Sequence, residues 1–130
     1  AIAGSGVQTL ISAGSFNTLI AGAGADTLLS TGSQDELDGN AAGSTLDGSR
    51  ATGAVAAYGL NNLTADLTAG EARVNGAGIG DKLIGIATLV AHGSNDTLIA
   101  ASGDVLVAAG VASRTGAGAR HERSKMATRE

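Results

Sequence analysis

A column of leucines at a spacing of nine constrains this 130-residue chain more than any other feature. Leu10, Leu19, Leu28, Leu37 and Leu46 keep that register, and the residue before each is Thr9, Thr18, Thr27, Glu36 and Thr45. An amphipathic helix or a heptad coil would want apolar residues three and four apart as well. Here Gly, Ser, Ala and Asn separate short triplets such as Thr-Leu-Ile and Thr-Leu-Leu. A three-residue strand followed by a turn of small residues, repeated in register, predicts a solenoid.

Successive side chains alternate across a strand, so each triplet has one inward member. Only the leucine is apolar every time, which assigns it to the core. The threonine position and the following position (Ile11, Ile20, Leu29, Asp38, Asp47) then face out. With two nine-residue turns per coil, same-side residues stack eighteen apart. Leu10, Leu28 and Leu46 form one wall, and Leu19 and Leu37 the other.

The unit Ala21-Gly22-Ala23-Gly24-Ala25-Asp26-Thr27-Leu28-Leu29 resembles the RTX, or haemolysin-type, nonapeptide repeat G-G-x-G-x-D-x-U-x, with only the first glycine replaced. Gly93-Ser94-Asn95-Asp96-Thr97-Leu98-Ile99 is a second good match, and the segments around Asp81 and Asp104 are partial ones. The likeness covers roughly residues 4–48 and 76–110. It implies an all-β fold, a right-handed parallel β-roll (β-solenoid) with nine-residue turns. It also implies an extracellular or cell-surface protein, with type I secretion as the fitting export route.

Four segments are expected. Residues 1–49 form a first β-roll block. In residues 50–75 the rhythm stops: Leu63, Ala65 and Leu67 alternate with Thr64, Asp66 and Thr68, a turn follows at 68–71, and Ala72-Arg73-Val74 returns, giving a strand-turn-strand insert. Residues 76–113 form a second block with leucines at 83, 89, 98 and 106 and a last rung near Val111. Residues 114–130 are expected to be a disordered tail.

Composition narrows the chemistry. Phe16 and Tyr58 are the sole aromatics, and Trp, Pro and Cys are missing, which suits a narrow roll and removes disulfides and thiolate chemistry. Residues 1–113 hold three basic against ten acidic side chains, whereas the last seventeen residues hold five basic against two acidic. An acidic body argues against nucleic-acid binding. No apolar run reaches transmembrane length, so no transmembrane segment is expected. His92 sits in a turn without a nucleophile at recognisable spacing, and His121 lies in the tail. We find no catalytic site and expect no enzyme; in RTX proteins the chemistry of lipases, proteases and epimerases resides in another domain.

By resemblance, calcium would be held by Asp26, Asp35, Asp81, Asp96 and Asp104, each ion shared by carboxylates one coil apart. Down the first block that position reads Gln8, Asn17, Asp26, Asp35, Ser44. The eighteen-residue columns are therefore Gln8–Asp26–Ser44 and Asn17–Asp35, each neighbouring pair having one carboxylate and one neutral side chain. Such half-charged sites should bind calcium far more weakly than full repeats, and the same acids could instead cap turns through Asx hydrogen bonds. Asp81 and Asp96, fifteen apart, are expected on one side. The outward Ile11, Ile20, Leu29, Ile84, Val90 and Ile99 form an apolar stripe fit for self-association or for contact with the rest of a larger chain. Three readings follow: a structural or binding module, a self-assembling filament, surface-layer or adhesin component that folds without calcium, and an accessory domain of a secreted enzyme. An ice-binding threonine ladder (Thr9, Thr27, Thr45) is broken by Glu36 and Lys82.

Overall fold

A computed structural model describes residues 1–76, 79–100, 104–108, 114–115 and 120–122. The fold is all-β, without a helix among the described residues. The strands are β1 (Thr9–Ser12), β2 (Thr18–Ile20), β3 (Thr27–Ser30), β4 (Glu36–Asp38), β5 (Thr45–Asp47), β6 (Val55–Tyr58) and β7 (Leu63–Asp66). They continue as β8 (Glu71–Val74), β9 (Asp81–Ile84), β10 (Thr88–Ala91), β11 (Thr97–Ile99), β12 (Val105–Ala108), β13 (Arg114–Thr115) and β14 (Arg120–Glu122). An eight-stranded sheet runs β1-β3-β5-β9-β8-β7-β11-β13, and a six-stranded sheet runs β14-β12-β10-β6-β4-β2. No helix is long and apolar enough to cross a membrane among the described residues.

The eighteen-residue stacking is present in the pairing. Leu10 lies beside Leu28 and Leu28 beside Leu46 in parallel strands of one sheet, while Leu19 lies beside Leu37 in the other. The short strands alternate as expected, with the central leucine of β4 and β5 buried and its neighbours half-buried. Leu28, Leu37, Leu46, Leu83, Leu89, Leu98 and Leu106 all lose their surface to a single core. Each such burial contributes about 1.5–3 kcal/mol, which compensates for the lack of aromatic fillers.

Coils approach closely at their turns. A Cβ on Gly32 would stand 1.5 Å from the Gly14 carbonyl oxygen of the preceding coil, so only glycine permits this spacing. Left-handed backbone is also required once per turn on that side. Gly53 adopts it freely, but Gln34 (φ 56°) and Phe16 (φ 59°) hold the same place one and two coils earlier. Each non-glycine residue there costs about 1 kcal/mol.

Two expectations about organisation are corrected. The rhythm does not stop at residue 50: β6 continues the six-stranded sheet in parallel between β4 and β10. It escapes the leucine pattern because Ala56 takes the core place beside Leu37, nineteen residues on, with Tyr58 filling the same core. The tail is not wholly without structure: β13 and β14 pair in parallel with β11 and β12. The unpaired N–H and C=O groups of a sheet edge accept a strand whatever its side-chain pattern. Val111 and residues 123–130 lie outside the described residues.

The strand-turn-strand reading of 63–74 agrees with β7 and β8, which form an antiparallel pair. Their consequence is larger than a local insert. β8 also pairs antiparallel with β9, and β9 pairs parallel with β5, so the chain skips two strand places after β6 and then fills them backwards. The eight-stranded sheet is therefore mixed. It gains two strands where β6 and β10 are direct neighbours, roughly 10 Å of extra height on one side of the stack.

Candidate functional site

The expected acids sit just before β3 (Asp26), β4 (Asp35), β11 (Asp96) and β12 (Asp104), or at the start of β9 (Asp81). Asp26, Asp35, Asp81 and Asp96 are fully buried, and Asp104 is half-buried. A buried carboxylate needs hydrogen-bond donors or a cation. In these positions the donors come from the coil before. Asp26 Oδ1 accepts the Gln8 N–H at 2.9 Å and Asp35 Oδ1 the Asn17 N–H at 2.8 Å, each eighteen residues back. Asp96 Oδ1 accepts the Leu63 N–H at 2.9 Å. In the third coil the pattern holds without a charge, since the Asp26 N–H donates to Ser44 Oγ at 3.0 Å. Each member of a column thus caps the backbone of its predecessor.

The second carboxylate oxygen finds local partners. Gly22 N–H donates to Asp26 Oδ2 at 2.8 Å. The hydroxyls of Ser12 and Ser30 donate to Asp35 Oδ2 at 2.8 and 2.7 Å. Burial pushes the Asp35 carboxyl up, but the Asn17 N–H and the Ser30, Ser12 and Asn17 side chains together hold it below the ordinary carboxylate range. At Asp96 burial wins over the N–H groups of Leu63 and Gly93, and the carboxyl is raised.

Asp81 is the most heavily bonded group. Asn40 and Ala41 N–H donate to its Oδ2 at 3.0 and 2.8 Å, and Ala42, Gly43 and Ser44 N–H to its Oδ1 at 3.0, 3.1 and 2.8 Å. Five consecutive backbone amides wrapped around one carboxylate make an anion nest. Tyr58 completes it, its hydroxyl donating to Oδ2 at 2.9 Å. Burial, and then the neighbouring Asp81 charge, push the Tyr58 phenol far up, so it remains a donor. Glycine at 39 is obligatory here, because a Cβ would lie 2.5 Å from both Asp81 Oδ2 and the Tyr58 ring.

These donor sets do not fit the shared calcium ions of the family pattern. Asp26, Asp35 and Asp81 have both oxygens turned to N–H or O–H donors, and the nest around Asp81 presents the positive ends of amide dipoles. Asp81 and Asp96 belong to the same side, at β9 and β11 of the eight-stranded sheet, but β8 and β7 stand between those strands, so the two acids are not adjacent. Among the described residues no group of three or more His, Cys, Asp or Glu is placed to hold a metal.

Sequence reasoning missed Ser12 and Ser30, although their eighteen-residue spacing carried the signal. It also missed the nest at residues 40–44 and Tyr58, whose phenol, sole of its kind, needed a buried partner. Of the outward stripe, Ile11 (63% exposed) and Ile84 (41%) are open, whereas Ile20, Leu29, Val90 and Ile99 are half-buried by their ladder neighbours. His92 is exposed, its N–H donating to the Tyr58 carbonyl at 2.8 Å.

No family model, no curated protein and no solved structure matches the chain.

Proposed function

We propose that the chain is a right-handed parallel β-roll of degenerate RTX-type repeats, serving as a structural or binding module of a secreted or surface protein. The observation that carries this reading is the one-coil reach of Asp26 to Gln8 and of Asp35 to Asn17, eighteen residues each. It supports a coil whose repeat-position acids bond the backbone of the coil before. Where each carboxylate has a neutral column neighbour, no cation is needed to relieve repulsion between acids. In this reading the roll folds without calcium and has no chemistry of its own. The open Ile11 and Ile84 side chains favour contact with a second copy or with the rest of a larger chain.

The test is circular dichroism with light scattering, in EGTA and then over a calcium titration. A β-rich spectrum in EGTA, unchanged by calcium, is expected. A disordered chain that becomes β-rich on calcium addition would restore metal-coupled folding and overturn the reading. Growth of scattering that is reduced by Ile11→Lys and Ile84→Lys would place self-association on the outward positions.

A further inference from the structure

Exposed apolar side chains are not spread evenly over the roll. Among the described residues, Ile2, Val7, Ile11 and Phe16 lie within the first sixteen, and only Ile79 and Ile84 of the large exposed ones lie elsewhere. That first stretch forms an open end of the stack. β1 is the edge of the eight-stranded sheet, and residues 1–3 lie along β2 at the edge of the six-stranded one, with Ile2 beside Ile20. The core itself is open there. Leu10 is half-buried, whereas Leu19, Leu28, Leu37 and Leu46 are buried. Toward the other end β14 pairs outside β12, and Leu106 is fully buried.

The chain's one phenylalanine, Phe16, is 76% exposed on left-handed backbone. A strained backbone that holds an aromatic ring in water marks a contact position. Beside it the same end carries a cavity of about 310 Å³, with Ile11, Ala13, Thr18 and Leu19 among its walls. Polar side chains at this end are bonded within the coil. Gly4 N–H donates to Gln8 Oε1 at 2.7 Å, and Asn17 Nδ2 to Ser12 Oγ at 2.8 Å. Covering the end leaves both bonds intact.

We propose that two copies of this chain join head to head through this end, about a two-fold axis. The inference rests on the β-roll reading above and gives its self-contact one place. Charge names the occupant. Residues 1–25 contain no Asp, Glu, Lys, Arg or His, and the Ala1 amine donates to the Thr18 carbonyl at 2.6 Å. Residues 26–113 hold ten acids against three bases, so two copies meeting there bring like charges together. A charged partner finds no counter-charge at the end, whereas an identical neutral end meets no repulsion. The end is also complementary to itself. A two-fold axis reverses strand direction, so the open edge of each copy pairs antiparallel with the other's and extends its ladder. The same axis sets each protruding Phe16 against the other copy's apolar end. Such a contact closes at two copies. One coil end gives an interface on the order of 1,000 Å² over both copies, the size of a weak, reversible dimer.

The test is sedimentation velocity of the whole chain from about 1 µM to about 1 mM, with circular dichroism on the same samples. A monomer–dimer equilibrium with a Kd of about 10–100 µM is expected. Phe16→Asn removes the ring and suits left-handed backbone better, so it should keep the β-rich spectrum and weaken the dimer about tenfold. Ile11→Lys puts a charge on the edge strand and should do the same. Ile84→Lys, on β9, should leave the Kd unchanged. A β-rich monomer at about 1 mM overturns the dimer, leaves the roll standing and gives the end to a different chain segment. Growth beyond the dimer overturns it in favour of a head-to-tail contact. A dimer that survives Phe16→Asn and Ile11→Lys but is lost in Ile84→Lys overturns it in favour of the β9 face. A disordered spectrum, with and without calcium, removes the roll and this end together.

Discussion

Asp35 and Asp38 flank the same short strand and behave in opposite ways. Asp35 faces the interior, fully buried, yet its carboxyl is held below the ordinary range. Asp38 faces outward and keeps some exposure, yet its carboxyl is raised to about 6. Burial is the largest influence on both, and it acts upward on both. Donors make the difference. Asp35 receives an N–H and two serine hydroxyls, whereas Asp38 faces Glu36 and two apolar neighbours. On β4 the inward carboxylate is stabilised by a backbone amide of the coil before, and the outward one has none within reach; the outward Asp66 on β7, by contrast, is pushed up by burial but held low by the Thr68 hydroxyl and the Thr68 and Ala69 amides of its own turn. Asp81 is the extreme of the inner kind, with six donors.

If donors rather than burial decide, the largest loss should come from Asp81. Asp81→Asn keeps the volume but turns an amide NH2 toward a nest of N–H groups. A loss of about 4 kcal/mol is expected, since a buried charge network is broken from one side. Urea unfolding followed by Tyr58 emission would measure it, and a loss below about 1 kcal/mol would break the contrast.

Asp35→Asn should cost less, about 2 kcal/mol, because one N–H and two hydroxyls are involved. Its folded carboxyl is depressed, so its contribution is complete above the ordinary carboxylate pKa and is lost as pH falls through the lower folded value. Wild type and Asp35→Asn should therefore converge in stability in strongly acid solution. Ser12→Ala and Ser30→Ala, each near 1 kcal/mol, should lose their effect in the Asp35→Asn background.

The inward half of this contrast was largely legible in the sequence, because it repeats. The leucine walls and the Gln8–Asp26–Ser44 and Asn17–Asp35 columns follow from nine-residue spacing and strand alternation. The hairpin at 63–74 was legible from a period of two and a turn. What could not be read was the direction in which each acid reaches, since a carboxylate one coil away can meet a cation or an amide with the same spacing. The nest around Asp81 depends on β9 pairing with β5, thirty-seven residues apart (Thr45 beside Lys82), a distance set by the skipped strand places. β6 was hidden by Ala56 at a leucine position. β13 and β14 were hidden because edge pairing needs no side-chain pattern.

On the outer face the expected sign reverses. The folded Asp38 carboxyl titrates at about 6 against an ordinary 3.8, so between those values the folded state holds more protons than the unfolded one. Stability contributed at this site therefore falls as pH rises from about 4 to about 6, and is level above that. Asp38→Asn should remove this slope and raise stability at neutral pH by about 1 kcal/mol, discounted for the remaining solvent screening. Thermal unfolding at about pH 4 and about pH 7 would measure the difference between the two proteins. Equal slopes in both would show that Asp38 does not differ from an exposed acid.

The smallest effect separates the causes acting on Asp38. Burial between Ile20 and Ala57 is the largest single cause, followed by the Glu36 charge and a hydrogen bond to Glu36, so neutralising Glu36 should leave the burial part in place. In Glu36→Gln the Asp38 carboxyl should fall and remain above its ordinary value. A carboxyl-carbon NMR titration reads this directly. A full return to the ordinary range would mean that the neighbouring charge, not the lack of donors on an apolar ladder, distinguishes Asp38 from Asp35. A partial return leaves the inner and outer faces of β4 distinguished by where backbone amides can reach.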